Sequence, residues 1–154
     1  MEKEMNQAAD AGFVFSGVMG GESGLGGKEV IVVMKKAASD PTPGRKYSLL
    51  ATSKTGTLEK EMQQAGAEGF SYCGQTVFES AFGGREVAVI LEKTVAGTKA
   101  KRIDYKLLST TKTSTMEKEL RQAGEAGYQF LGVVVGKTAF GGKEVITILQ
   151  KLEQ

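Results

Sequence analysis

The stretch MEKEMNQAADAGFVFSG at residues 1–17 occurs twice more in the chain, as LEKEMQQAGAEGFSYCG at 58–74 and MEKELRQAGEAGYQFLG at 116–132. Each copy runs without a gap into a second shared stretch, which reads GLGGKEVIVVMKK, SAFGGREVAVILEK and TAFGGKEVITILQK. Self-similarity at a fixed spacing of this size indicates a repeated supersecondary unit. We therefore predict that blocks one, two and three, at residues 1–36, 58–93 and 116–151, are equivalent structural units.

Block three shows the order of elements within a unit most clearly. The segment IDYKLLSTT, from Ile103, alternates in a way that predicts a strand with one apolar face. Met116, Leu120 and Ala123 then follow at the spacing of an amphipathic helix. Ser114, three residues before a glutamate, has the spacing of a capping box at the start of that helix.

A glycine followed by an aromatic residue marks the end of the helix in every block. Gly12, Gly69 and Gly127 occupy this place and are predicted to terminate the helices with positive φ. The aromatic residue begins the next strand, which contains a glycine of the kind that accompanies a bulge or bend. The last segment, EVITILQK, is apolar on both faces and is predicted to be a central strand.

These observations predict an α+β fold of three tandem βαββ-type repeats, in antiparallel-rich sheets with helices packed on one face, and with pseudo-threefold symmetry. A length of 154 residues suits a single compact domain, 1–154. Its predicted parts are repeat one at 1–36, repeat two at 45–93 and repeat three at 103–151. The segments 37–44 and 94–102 are predicted to be exposed linkers, because they are rich in proline or in small polar residues.

Block one begins directly at its helix, so it lacks the leading strand of the other two blocks. A shortened precursor would explain this, as would a strand supplied by another subunit or a strand order that hides the gap. An unpaired sheet edge invites pairing with another chain. The apolar residues expected to be exposed there form the predicted assembly interface: Phe13, Phe15, Val30, Val32 and Met34.

Few residues of the chain suit catalysis or metal binding. Histidine is absent, and a single Cys73 cannot form a disulfide or a cysteine zinc site within the chain. Blocks one and three have Ser16 and Leu131 at the position of Cys73, which indicates a packing site. The Gly-Gly pairs before the last strand of each block are typical of hairpin connections. We therefore predict no catalytic residue, no metal ligand and no cofactor.

One glutamate pattern and one glycine pattern have structural interpretations that we favour. Glu29, Glu86 and Glu144 at the strand starts suit solvated strand ends better than a threefold ring of charges. The segment GKT at 136–138 lacks the first glycine of a phosphate-binding loop and joins two strands. The net charge of +2 is spread along the chain, so we expect no nucleic-acid partner.

The helix-to-strand junctions AGF at 11–13, EGF at 68–70 and AGY at 126–128 resemble an E-G-W signature. That signature belongs to a group of small bacterial βαββ domains of unknown function (domain-of-unknown-function family 4177). The resemblance covers nearly the whole chain in three copies, although tryptophan is replaced in each. It implies the topology of the unit and carries no activity.

Two functions from different classes fit this sequence. The leading hypothesis is a non-enzymatic structural protein that self-associates through sheet edges into a homo-oligomer or filament. The alternative is a module that binds a small ligand or peptide in a pocket at the pseudo-axis or on the loop face, with the ligand unknown. No signal peptide and no apolar run of ~18 residues is visible, so we expect no membrane span. The compartment stays open, because removal of an upstream segment would be compatible with secretion.

Overall fold

The computed structural model describes residues 1–22, 28–36, 44–79, 85–95, 101–137 and 142–153. These residues form three helices and eight strands. Their order along the chain is α1 (Glu2–Asp10), β1 (Phe13–Glu22), β2 (Lys28–Lys36), β3 (Arg45–Thr52), α2 (Thr55–Ala67), β4 (Ser71–Glu79), β5 (Arg85–Thr94), β6 (Ile103–Thr110), α3 (Thr113–Glu125), β7 (Gln129–Lys137) and β8 (Lys143–Leu152).

The described strands form three separate sheets, and every strand pair is antiparallel. The first sheet contains β1 and β2, the second has the order β3-β5-β4, and the third has the order β6-β8-β7. The α+β class and the antiparallel pairing are thereby confirmed. The last strand of blocks two and three lies in the middle of its sheet, as the apolar pattern of EVITILQK predicts.

The central strands are buried because both of their faces are covered. In β5, the run Val87–Leu91 is buried along its whole length. In β8, the run from Ile146 to Leu149 is buried too, and it includes the polar residue Thr147. Side chains on alternate faces of these strands then contribute to different cores, which places the second and third sheets each between two apolar layers.

The glycine at the end of each helix adopts the predicted conformation. Gly12, Gly69 and Gly127 have φ of 85°, 84° and 87°. After α2, the amide of Phe70 donates to the Ala65 carbonyl at 3.0 Å, and the amide of Gly69 donates to the Gly66 carbonyl at 3.0 Å. This is the hydrogen-bond pattern of a Schellman motif, which needs a left-handed residue and therefore favours glycine.

A β-bulge interrupts the strand that follows each helix. The register shifts between Phe15 and Gly17 in β1, and equivalent shifts precede Gly74 in β4 and Gly132 in β7. A bulge bends its strand and increases the twist. The mid-strand glycines therefore accompany bulges, which is one of the causes that the sequence indicates.

The start of the helices differs from the prediction. The capping box expected at Ser114 is wrong, since α3 begins at Thr113 and its N-cap, Lys112, makes no side-chain cap hydrogen bond. The turn into the helix is instead stabilised by Thr110, whose hydroxyl accepts the Lys112 amide at 3.1 Å. Thr52 accepts the Lys54 amide in the same way at 3.2 Å before α2.

Within the described residues the core has three clusters, each lying where a helix meets strands. The largest contains residues of α2, β5, β6 and β8, with Met62, Tyr105 and Ile148 all at 0 % exposure. A second cluster is centred on Met5 and joins α1 to β3 and β5. The third packs α3 on its own sheet around Ala123. The prediction of one apolar face for β6 is incomplete, because α2 covers one face and α3 covers the other, where Leu108 is buried.

Among the described helices, none combines the length and the apolar character needed to cross a membrane.

Candidate functional site

The outer edge of β2 distinguishes the first sheet from the other two. In the second and third sheets, β5 and β8 are paired on both sides. The matching strand of block one is β2, and within the described residues it pairs with β1 alone. Backbone N–H and C=O groups along an unpaired edge are ready to bond to another strand. The edge of β2 is therefore the first candidate site.

The five residues predicted as an exposed interface are all partly buried. Phe15, Val32 and Met34 pack against the cluster around Met5, within the chain. Their expected exposure is wrong, because their face of the first sheet lies on the second sheet. For Phe13 and Val30, partial burial leaves the predicted contact with another subunit a prediction.

The opposite face of the first sheet carries the exposed apolar side chains. Met19, Ile31 and Val33 are 58 %, 48 % and 53 % exposed. They alternate with the buried-face residues along the strands, as the period of two requires. A second exposed apolar set lies on β7, where Phe130, Val133 and Val135 are 59 %, 51 % and 45 % exposed. The two sets belong to the first and the third block.

Two polar side chains of helix α1 form hydrogen bonds with backbone groups at the edge of β3. Asn6 accepts the Tyr47 amide at 2.8 Å and donates to the Tyr47 carbonyl at 3.0 Å. Glu2 accepts the Leu49 amide at 2.8 Å. Since β3 is an edge strand of the second sheet, these bonds satisfy backbone groups that no strand pairs. Helix α1 of block one thus satisfies backbone groups at the unpaired edge of β3, the leading strand of block two.

Helix α2 repeats this arrangement on β6, the leading strand of block three. Glu59 accepts the Leu107 amide at 3.1 Å, and Gln63 donates to the Tyr105 carbonyl at 3.4 Å. Gly66 allows the closest approach, because a Cβ there would lie 2.1 Å from the Ile103 carbonyl oxygen. The helix and the strand are therefore in direct backbone contact at this glycine.

Helix α3 has the matching residues, and no strand in the described part of the chain bonds to them. Glu117 and Arg121 align with the residues of α1 and α2 that bond to a strand, yet they bond to each other at 2.9 Å and are 72 % and 70 % exposed. Gly124 aligns with Gly66, and a Cβ there would meet nothing within 4 Å. Met116 and Leu120, which align with the buried Leu58 and Met62 of α2, are only half-buried.

A half-open groove of about 390 Å³ lies where β1, β4 and β7 approach one another. Its lining is largely apolar and includes Gly20, Val77 and Val134. Arg85 and Glu79, which form an ion pair at 3.8 Å, also line the groove. The Gly-Gly pairs are next in sequence to this region, and apart from Gly142 they fall outside the described residues.

Cys73 and Glu144, which the sequence offers as candidates for chemistry, both make contacts that stabilise the fold. Cys73 packs against the cluster around Met5 and Ile90, and burial, followed by the nearby Glu92 carboxylate, raises the pKa of its thiol well above the usual range. A raised pKa disfavours the reactive thiolate. Glu144 accepts hydrogen bonds from the hydroxyls of Thr55 and Ser109, which ties the start of α2 to the third sheet.

Within the described part of the chain, no group of three or more Asp, Glu or Cys residues is placed to hold a metal ion. The prediction of no metal, cofactor or catalytic residue stays a prediction.

Sequence reasoning missed the contacts that α1 and α2 make with the leading strand of the next block. The signal was present, since a glutamate and, four residues later, an amide or guanidinium side chain recur at the start of every helix. No family model, curated protein or solved structure matches this chain. The resemblance to the βαββ domains of unknown function stays a prediction.

Proposed function

We propose that this protein is a non-enzymatic structural protein that self-associates through sheet edges, with a strand of another subunit completing the first sheet at β2. The observation that carries the proposal is that, among the described strands, β2 is paired on one side only, whereas the matching strands β5 and β8 are paired on both. Addition of a strand to an open edge is an established route to protein assembly.

The three sequence blocks would then be equivalent units around a pseudo-threefold axis. The identical strand order of the second and third sheets supports this proposal. An added strand completes the first sheet in the same order. If each subunit donates a strand at one end and accepts one at the other, the contact is heterologous and extends into an open filament.

Apolar burial adds to the backbone pairing. Full burial of a valine or isoleucine side chain is worth about 1.5–3 kcal/mol. Ile31 and Val33 are about half exposed at 48 % and 53 %, so covering them would contribute about 1 kcal/mol each. The charged residues Lys35 and Lys36 at the end of β2 are exposed, and charges at an edge oppose indiscriminate pairing.

The test is to supply the strand within the same chain. RKYSLLATSKTGT (45–57) is fused ahead of Met1, and molar mass is measured by light scattering over a range of concentrations. The unmodified chain should form assemblies whose mass grows with concentration, and the fusion should shift them toward the monomer. A fusion of the same residues in scrambled order is the matched control and should leave assembly unchanged. An unmodified chain that stays monomeric at high concentration would contradict the proposal.

A ligand-binding function is the second candidate, and the groove between β1, β4 and β7 is the observation that favours it. A molecule retained through purification and displaced by the substitution Val134→Trp in the groove would support this function over self-association.

A further inference from the structure

We propose that α3 and the adjoining face of the third sheet form a docking groove for an extended peptide strand with a tyrosine followed two residues later by leucine. The occupant is of the same chemistry as β3 and β6, which read Tyr47-Ser48-Leu49 and Tyr105-Lys106-Leu107. The proposal goes beyond self-association through β2 and does not depend on it. A chain that stays monomeric still presents this groove.

The first support is that the same groove is filled twice within the chain. A strand lies against α1 and another against α2, and in each case a helix glutamate accepts the amide of the leucine, at 2.8 Å for Leu49 and 3.1 Å for Leu107. In each case the residue four positions after the glutamate donates to the tyrosine carbonyl, at 3.0 Å for Tyr47 and 3.4 Å for Tyr105. These bonds recognise extended backbone and do not depend on its side chains.

The second support is that α3 keeps every group the contact needs. Glu117 is placed to accept a strand amide, and Arg121, which can only donate, suits the carbonyl bond. The present bond between these two side chains is exposed, and exposed pairs of this type contribute little to stability. The pair is therefore easily exchanged for bonds to a strand.

The third support is shape. At Gly66 a strand backbone occupies the space beside the helix, 2.1 Å from where a Cβ would stand, and at Gly124 that space is open. The floor of the groove is apolar and incompletely covered, since Met116 and Leu120 are half-buried where Leu58 and Met62 are 1 % and 0 % exposed.

The tyrosine of the occupant has a defined place as well. The hydroxyl of Tyr47 accepts the Phe15 amide at 2.9 Å, beside the bulge of β1. The Tyr105 hydroxyl donates to the Phe70 carbonyl at 3.0 Å, just before β4, and it is also hydrogen-bonded to the backbone of Tyr72, the counterpart of Phe15. The matching bulge of β7 lies beside Phe130, whose side chain is 59 % exposed. A tyrosine docked there would cover it.

The experiment uses the full chain and a fluorescein-labelled peptide RKYSLLAT (45–52), with binding followed by fluorescence anisotropy at protein concentrations where light scattering shows monomer. We expect saturable binding that weakens by about tenfold or more in Gly124→Leu, which fills the groove, and in Glu117→Ala, which removes the acceptor. Gly56→Leu is the matched control, because Gly56 is also an exposed helix glycine with nothing within 4 Å of its Cβ position. This variant should bind as the parent does.

Absence of binding to the parent chain, or equal binding by Gly124→Leu, would overturn the proposal. If the chain assembles even at low concentration, the readout is molar mass, and Gly124→Leu should then shift the mass toward the monomer. Assembly that is unaffected by Gly124→Leu, together with no peptide binding, would reject the groove while leaving self-association through β2 intact. Peptide binding by a chain that never assembles would reject self-association and retain the groove.

Discussion

At the scale of single residues, the chain depends on backbone conformations that few side chains tolerate. Gly69 has φ of 84° at the end of α2, and its amide and that of Phe70 close the last turn. A residue with a Cβ is strained in this region, because the Cβ crowds the backbone. The aromatic residue after the glycine is held by a lysine from the last strand, with the Lys93 ammonium 4.4 Å from the Phe70 ring centre.

Replacement of Gly12, Gly69 or Gly127 by alanine should lower the free energy of unfolding by about 1 kcal/mol each. The measurement is the midpoint and slope of urea denaturation. Gly56→Ala is the control, since Gly56 has no positive φ and its alanine should stabilise α2 slightly. Unchanged midpoints in all three test variants would show that the left-handed conformation is not required.

The identity of a residue could predict the local backbone conformation, whereas the burial of a side chain depends on partners that are distant in the sequence. The helix-ending glycines follow from spacing and composition alone. The burial of Phe15, Val32 and Met34 does not, because alternation separates the two faces of a strand without showing which face meets the next sheet. The position of Cys73 as a packing site could be predicted, since its counterparts are a serine and a leucine.

At the scale of secondary-structure elements, helices α1 and α2 each pack against the leading strand of the block that follows. α1 contacts β3, and α2 contacts β6 more extensively than it contacts its own leading strand. Strand types and the central place of β5 and β8 could be predicted from apolar runs. The starts of α2 and α3 could not be predicted. The hydroxyls of Thr52 and Thr110, at the end of the preceding strand, accept backbone amides in the turn before each helix, and the capping box at Ser114 is not used.

The substitutions Gly66→Ala and Gly124→Ala should have opposite effects although both residues stand in the same sequence, Gln-Ala-Gly. Gly66→Ala places a methyl group against the Ile103 carbonyl and the Tyr105 ring, so it should destabilise the protein by about 1–3 kcal/mol. Gly124→Ala meets open space and should stabilise α3 by up to about 1 kcal/mol. Urea denaturation of both variants checks this, and equal shifts would mean that α2 and α3 have the same surroundings.

At the scale of the whole molecule, tyrosine hydroxyls join one sheet to the next. Tyr47 belongs to the second sheet and bonds to the backbone of β1, and Tyr105 belongs to the third sheet and bonds to the backbone between α2 and β4. Both side chains are 0 % exposed. A single sequence shows that these strands are alike, yet it does not show which sheet they face, so the joints could not be predicted.

These joints should make the molecule sensitive to alkaline pH. Burial is the main cause that raises the pKa of Tyr47 from 10.0 to about 12, with the Glu92 carboxylate adding to it and the Phe15 amide opposing it. A group whose pKa is higher in the folded state stabilises the fold below its unfolded pKa, and this stabilisation is lost as pH rises through the folded pKa. The free energy of unfolding should therefore fall between pH 10 and 12, with a contribution from Tyr47 of about 2 kcal/mol.

Urea denaturation at several pH values measures the decline, and Tyr47→Phe is the matched variant. It should be less stable at pH 8, since the Phe15 amide loses its acceptor, but its stability should fall less steeply above pH 10. Parallel curves for the two proteins would show that the hydroxyl at this joint is not what titrates.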